Sequence, residues 1–97
     1  MEKIKLKSNT KIKRNKDVIF KEVDGVVYIL DSQESIVRTL NETASFIWRS
    51  LKKPRSTKEL AQLLSEKFKV EEKKVNTDLK KFISRYLKEK LIVFFNK

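Results

Sequence analysis

The chain has 97 residues, enough for one domain. It contains neither cysteine nor histidine, which excludes disulfides, thiol nucleophiles, imidazole bases and the two best zinc ligands. Its 24 Lys and Arg against 13 Asp and Glu give a formal net charge of +11, which attracts polyanions and acidic peptides. A lysine-rich solvated surface would produce the same charge.

Residues 1–16 predict a basic N-terminal arm, and residues 17–97 predict the folded domain. The arm carries seven Lys or Arg and one Glu, and its alternation at 3–7 suggests an edge strand. No apolar run approaches the ~18 residues that span a bilayer, and the basic start lacks the core of a signal peptide. We therefore expect a soluble cytoplasmic protein with no membrane partner.

The residues after the arm predict three strands. The segments 17–23 and 26–30, which contain β-branched and aromatic residues, flank Asp24-Gly25, the strongest short-range hairpin signal. A second turn at 31–34 leads into a third strand at 35–39. The result is a three-stranded antiparallel meander.

Three helices follow. The first should begin after Asn41, a favoured N-cap, with one apolar stripe. The capping-box pair Ser56 and Glu59 predicts the start of the second helix, and the third should begin near Glu71. The apolar segment 91–95 is expected to form either a short strand or an apolar segment that packs against the core. The pattern leaves open whether three aromatic residues belong to the core or to a docking surface: Phe46, Phe94 and Phe95.

The sequence lacks the residues that catalysis and cofactors require. Nearly all carboxylates lie beside Lys or Arg on predicted solvent faces, so no pair is placed for acid–base chemistry. A single glycine cannot form a Gly-rich phosphate loop. No spacing of Asp and Glu indicates a metal site. We therefore predict a binding protein without enzymatic activity, cofactor or metal.

One binding hypothesis is recognition of DNA. The last two helices have the link of a helix-turn-helix, so the third helix would enter the major groove. Two features count against this hypothesis. Three acidic residues would lie near DNA phosphates, and the hairpin precedes all the helices, whereas the hairpin of a winged helix-turn-helix normally follows the third helix. A solvated charged face is the simpler reading. The side chains that the third helix would offer are Lys73, Lys74, Asn76, Lys80, Lys81, Arg85 and Lys88.

The other hypothesis is capture of a peptide. The third strand has no evident partner on its far side, and an open edge can add a ligand strand. A stripe beside the apolar face of the third helix could form the opposite side of a groove, selecting a peptide with acidic residues and apolar anchors. Alternatively, two of its members form a simple i,i+4 surface pair. The stripe consists of Lys74, Asp78, Lys81 and Arg85.

The segment Leu40-Asn41-Glu42-Thr43-Ala44, followed by Ile47-Trp48, resembles the PqqD-like family of peptide-recognition domains. The likeness covers roughly residues 17–92. Two places depart from the family pattern: Lys53-Pro54, where glycine is frequent, and Lys69 with Glu71, where aspartate is common. Further matching residues are Glu22 to Gly25, Leu30-Asp31, Thr57 to Leu60, Phe68 to Val70, Val75, Asp78, Phe82, Leu87, Leu91 and Ile92.

The resemblance implies an α+β, winged helix-turn-helix-like fold with no catalysis of its own. It implies binding of the leader of a ribosomally made precursor peptide, which adds a strand and is then presented to a modifying enzyme. That enzyme would be a leader peptidase, as in lasso-peptide systems, or a radical-SAM enzyme, as in pyrroloquinoline quinone biosynthesis. The implied site residues are Ile36, Val37, Arg38 and Thr39 on the strand and Lys74, Asp78, Lys81, Phe82 and Arg85 across the groove.

Overall fold

The computed structural model describes residues 10–31 and 35–95. The strand predicted at 3–7 lies outside the described residues. Six strands and three helices are formed in this part of the chain: β1 Lys11–Arg14, β2 Ile19–Val23, β3 Val26–Asp31, β4 Ile36–Thr39, α1 Glu42–Ser50, β5 Arg55–Ser56, α2 Thr57–Phe68, α3 Glu72–Lys88 and β6 Ile92–Phe94.

The predicted meander is confirmed. Strands β2, β3 and β4 form one antiparallel sheet in that order. Asp24 and Gly25 have φ values of 51° and 81°, as the tight turn between β2 and β3 requires. The sole glycine of the sequence is therefore used where a left-handed backbone is needed.

A second sheet joins the two ends of the domain. Its order is β5-β1-β6, and β1 is antiparallel to both neighbours. Ile12 of β1 is fully buried, so residues 11–14 pack with the folded body although the sequence places them in the basic arm. The segment 91–95 contributes a strand, one of the two alternatives that the sequence left open.

The three helices begin where the sequence predicts. The Asn41 side-chain oxygen accepts a 2.8 Å hydrogen bond from the Ala44 N–H, and Ser56 and Glu59 form the predicted capping box. Glu71 precedes α3 without a side-chain cap. The absence of this cap fits the departure from aspartate at that position.

The core lies between the first sheet and the helices. Ile47 and Trp48 of α1 are buried in this core. The Phe20 ring meets the Trp48 ring edge-on, with 5.3 Å between the ring centroids. The Arg14 guanidinium lies over both rings and donates to the Trp48 carbonyl. Burial lowers the pKa of Arg14, with the Glu22 charge opposing the shift. A cation thus occupies the carboxyl end of α1, where the helix dipole favours it.

Ser45 fixes α1 to the sheet where β4 ends. Its buried hydroxyl accepts from the Val27 N–H at 3.1 Å and donates to the Leu40 carbonyl at 3.1 Å. The Leu40 N–H in turn donates to the Val27 carbonyl at 2.9 Å. The Ser45 hydroxyl therefore bridges the Val27 N–H and the Leu40 carbonyl, in place of a direct hydrogen bond between β3 and the residue that follows β4.

We expect Ser45→Ala to lower the free energy of unfolding by about 1–3 kcal/mol, because it leaves a buried N–H and a carbonyl without partners. Urea titration measures the loss. Ser50→Ala is the matched control, since the Ser50 hydroxyl only bonds back to Phe46 within α1 and is partly exposed. Equal effects of the two substitutions would contradict the bridging role of Ser45.

Candidate functional site

Strand β4 presents an open edge. It pairs with β3 on one side, and no strand lies on its other side in the described part of the chain. Because the Leu40 N–H points to β3 and successive N–H groups alternate, the Arg38 N–H also points to β3. The N–H and carbonyl groups of Val37 and Thr39 therefore face the open edge and can accept a further strand.

A cavity of about 700 Å³ lies along α3, between that helix, the start of α1 and the end of α2. All five residues that the sequence placed across the groove line it: Lys74, Asp78, Lys81, Phe82 and Arg85. The structure thus brings together every predicted helix residue of the site. The remaining lining residues are Asn41, Thr43, Ala44, Ile47, Leu64, Phe68, Val70, Val75, Leu79 and Tyr86.

The cavity is apolar inside and cationic at its rim. The Phe82 and Tyr86 rings lie 3.9 Å apart between centroids, and burial raises the pKa of the Tyr86 phenol, with the nearby Arg38 charge opposing the shift. Lys74 and Lys81 are exposed and form no ion pair with any described residue, so the alternative of a simple Lys74–Asp78 pair is not realised. Acidic groups of a ligand could pair with these two ammonium groups.

Arg38 connects the open edge to α3. Its guanidinium donates to the Glu89 carboxylate at 3.0 Å, immediately after the end of the helix. Arg85 approaches the other oxygen of Glu89 at 3.5 Å. The edge and the helix are therefore held in one arrangement at this end.

The four strand residues of the predicted site do not line the cavity. Ile36, Val37 and Thr39 are exposed, while Arg38 turns to the helix side. The site accordingly has two parts: a backbone edge, and a cavity lined by side chains of α3. The edge and the cavity are adjacent because Asn41, which follows Leu40, both caps α1 and lines the cavity.

Sequence reasoning missed Glu89 and Tyr86 as members of this region. Glu89 follows the last turn of α3, where only the fold shows that β4 lies nearby. Tyr86 lies buried on the apolar face of α3. The i,i+4 spacing of Phe82 and Tyr86 was the signal for their ring contact.

The three aromatic residues left open by the sequence differ in environment. Phe46 is half-buried against the core, and its ring meets that of Phe68 edge-on at 5.8 Å. Phe94 is exposed on β6, and the Lys13 ammonium lies 6.0 Å from the centre of the Phe95 ring. None of the three lines the α3 cavity.

Neither a metal cluster nor a membrane-spanning helix is formed by the described residues. Among residues 10–31 and 35–95, no cluster of three or more acidic side chains is arranged to hold a metal ion. No helix in the same ranges is long and apolar enough to cross a membrane.

Comparison with known proteins gives a family match and a fold match. The family model of coenzyme PQQ synthesis protein D (PqqD) matches residues 26–92. A solved structure, TbiB1 in complex with the TbiA(beta) leader peptide, matches with a TM-score of 0.75 at 21% identity, over 88% of this chain and 99% of that one. At this identity the second match shows the shared α+β fold alone. No curated protein sequence matches significantly.

Proposed function

The chain belongs to the PqqD family, and we propose that it binds the leader segment of a ribosomally made precursor peptide. The observation that carries this proposal is an open strand edge beside a cationic, apolar-lined cavity. The structurally similar TbiB1 was solved with a leader peptide. A leader is a reasonable ligand here because an extended peptide can use backbone and side-chain contacts together.

In the proposed complex the leader adds a strand to β4. Ile36, Val37, Arg38 and Thr39 supply the edge, and hydrogen bonds to the outward N–H and carbonyl groups provide affinity without demanding a particular sequence. Apolar side chains of the leader enter the cavity against Phe82. In this complex the affinity comes from the backbone hydrogen bonds and from the apolar side chains of the leader.

Charged residues then set register and association rate. Lys74, Lys81 and Arg85 outnumber Asp78 at the cavity, so they favour a leader with acidic residues near its apolar anchors. The chain itself would perform no chemistry. It would present the bound precursor to a modifying enzyme, either a leader peptidase or a radical-SAM enzyme.

Titration of a fluorescently labelled leader tests the proposal. The leader is that of a precursor encoded beside this chain, and the control is a scrambled peptide of the same composition. We expect saturable binding of the leader and at least about tenfold weaker binding of the scrambled peptide, because register and anchor spacing are lost. Equal affinity for the leader and the scrambled peptide would show that the interaction depends on charge alone.

We expect the double substitution Lys81→Glu with Arg85→Glu to weaken leader binding by about 10- to 100-fold, since charge reversal makes both contacts repulsive. The dependence on salt should also become shallower. The matched control is Lys58→Glu with Lys67→Glu, which changes net charge equally at exposed positions of α2. A similar loss in both pairs would show that overall charge governs binding.

The same variants separate peptide capture from DNA recognition. A DNA-binding protein would bind duplex with a steep salt dependence and a sequence preference, and the α3 reversal would abolish that preference. Duplex binding without sequence preference would report only the charge of +11.

A further inference from the structure

Glu89 joins two arginines at the place where β4 meets the end of α3. The Arg38 guanidinium donates to one oxygen of the Glu89 carboxylate at 3.0 Å, and the Arg85 Nε donates to the other at 3.5 Å. Two cations share one anion in this arrangement, so one positive charge is left uncompensated. We call these three side chains the arginine cluster.

The arginine cluster borders the α3 cavity. Arg85 and Tyr86 line the cavity, and all three charges of the cluster act on the Tyr86 phenol. Burial raises the pKa of Tyr86; the Arg38 charge opposes this shift, the Glu89 charge adds to it, and the Arg85 charge opposes it. The cluster is therefore part of the surface that a peptide in the cavity would meet.

The pleat of the sheet would direct one peptide side chain toward Arg38. Arg38 lies opposite the buried Ile29, so its side chain lies on the helix side of the sheet. In a strand added to the open edge, the residue directly beside Arg38 would present its side chain to the same side. The two neighbours of that peptide residue would point to the opposite face, away from the arginine cluster.

Glu89 is poorly placed to stabilise the helix that it follows. It is the C-cap of α3, where the helix dipole disfavours a negative charge. Water reaches both partners of its shorter ion pair, since the side chains of Arg38 and Glu89 are 24% and 29% exposed. Ion pairs of this kind contribute little to stability. The Glu89 carboxylate can therefore leave Arg38 at low cost when a ligand carboxylate arrives.

We propose that Arg38 and Arg85 form a carboxylate-binding subsite, and that Glu89 fills this subsite until a carboxylate of the peptide takes its place. The ligand is the side chain of one Asp or Glu of the leader, at the position beside Arg38. Guanidinium groups suit it, because their N–H groups match the two oxygens of a carboxylate. This inference rests on the proposed function and adds to it a residue that fixes the register of the leader.

The exchange of Glu89 for a peptide carboxylate makes the subsite selective. A leader shifted by one residue would turn its carboxylate to the outer face of the sheet and leave the arginines with Glu89. A leader with a lysine beside Arg38 would be repelled by the uncompensated positive charge. Wrong registers and wrong sequences are therefore disfavoured as well as the correct one being bound.

Titrations with the leader and with a set of its variants, in which each Asp is changed to Asn and each Glu to Gln one at a time, test the inference. For the wild-type chain, we expect one of these changes to weaken binding about tenfold. The same change should cost less than about twofold in Arg38→Gln, because the partner of that carboxylate is absent.

Glu89→Gln gives the most specific result. It should bind the unchanged leader about three- to tenfold more tightly than the wild type does, because the competing carboxylate is gone. It should show no such gain for the leader variant that lacks the critical carboxylate. Glu66→Gln is the matched control, since it removes the same charge from an exposed position of α2 and should leave leader affinity within about twofold of wild type.

The opposite results would overturn the inference. Weaker or unchanged leader binding by Glu89→Gln would make Glu89 a fixed link between β4 and α3. A leader that tolerates the loss of every carboxylate would likewise exclude the subsite. Glu89→Gln changes a surface residue, so it decides the question even where Arg38→Gln unfolds in a urea control. Saturable binding by the wild type would leave the proposed function intact in either case, whereas a wild type without leader affinity would remove both.

Discussion

Val37→Pro is expected to weaken leader binding by about 100-fold, corresponding to about 2.7 kcal/mol. Proline removes the N–H of Val37, which faces the open edge of β4, and its ring occupies space that the added strand requires. The bond between the Leu40 N–H and the Val27 carbonyl fixes this assignment, because N–H directions alternate along a strand. Isothermal titration with the leader measures the change.

Two further variants make this expectation specific. Val37→Thr keeps the N–H and a β-branched side chain of similar volume, so its leader affinity should stay within about threefold of wild type. Arg38→Pro should instead destabilise the fold, because it removes a β3-facing N–H and the ion pair with Glu89. Wild-type leader affinity in Val37→Pro would contradict the strand-addition mechanism.

Trp48→Ala is expected to lower the free energy of unfolding by about 3–5 kcal/mol. The Trp48 side chain is 1% exposed and contacts the Phe20 ring and the Arg14 guanidinium. Its removal leaves a large cavity and deprives Arg14 of one aromatic surface. Native proteins have a total stability of about 5–15 kcal/mol, so this loss is a large part of the total for a small domain near the lower end of that range.

Trp48→Phe is the informative control. The Trp48 Nε1 is buried without a hydrogen-bond partner in the described part of the chain, so phenylalanine removes an unsatisfied donor together with part of the ring. We therefore expect a loss of only about 1–2 kcal/mol in a urea titration. Equal losses in the two variants would mean that ring burial is not the source of the stabilisation.

Much of the fold could be predicted because its signals are local. Asp24-Gly25 specifies a turn, Asn41 and Ser56 cap helices, and the 3.6-residue spacing along α3 separates buried from exposed side chains. The same spacing placed Lys81 and Arg85 on one face, which is why the helix residues of the candidate site were found together. Each of these inferences needs no knowledge of distant parts of the chain.

The second sheet could not be predicted because its signals are not local. Ile12 is the one apolar residue of β1 and stands among cations, so the sequence predicts only a basic arm here, with its edge strand at 3–7. Its burial depends on pairing with β6, about 80 residues later in the chain, and with the two-residue strand β5. Arg14 likewise acquires its position over Trp48 only through this pairing.

The orientation of the binding edge also required the structure. Because N–H groups alternate along a strand, proline at only one of Val37 and Arg38 should block an added strand, and the sequence alone does not say which one. The answer depends on the phase of the β3–β4 ladder, which the Leu40 bond to Val27 sets. The link from Arg38 to Glu89 was also beyond sequence reasoning, since it joins residues 51 positions apart.

Amide hydrogen exchange of the chain, measured by NMR with and without the leader, tests strand addition most directly. Saturating leader should slow exchange at the Val37 and Thr39 amides by at least about tenfold, because both would become hydrogen-bonded to the added strand. The Arg38 amide already faces β3 and should change far less. Binding of the leader with no added protection at Val37 and Thr39 would contradict the proposed edge.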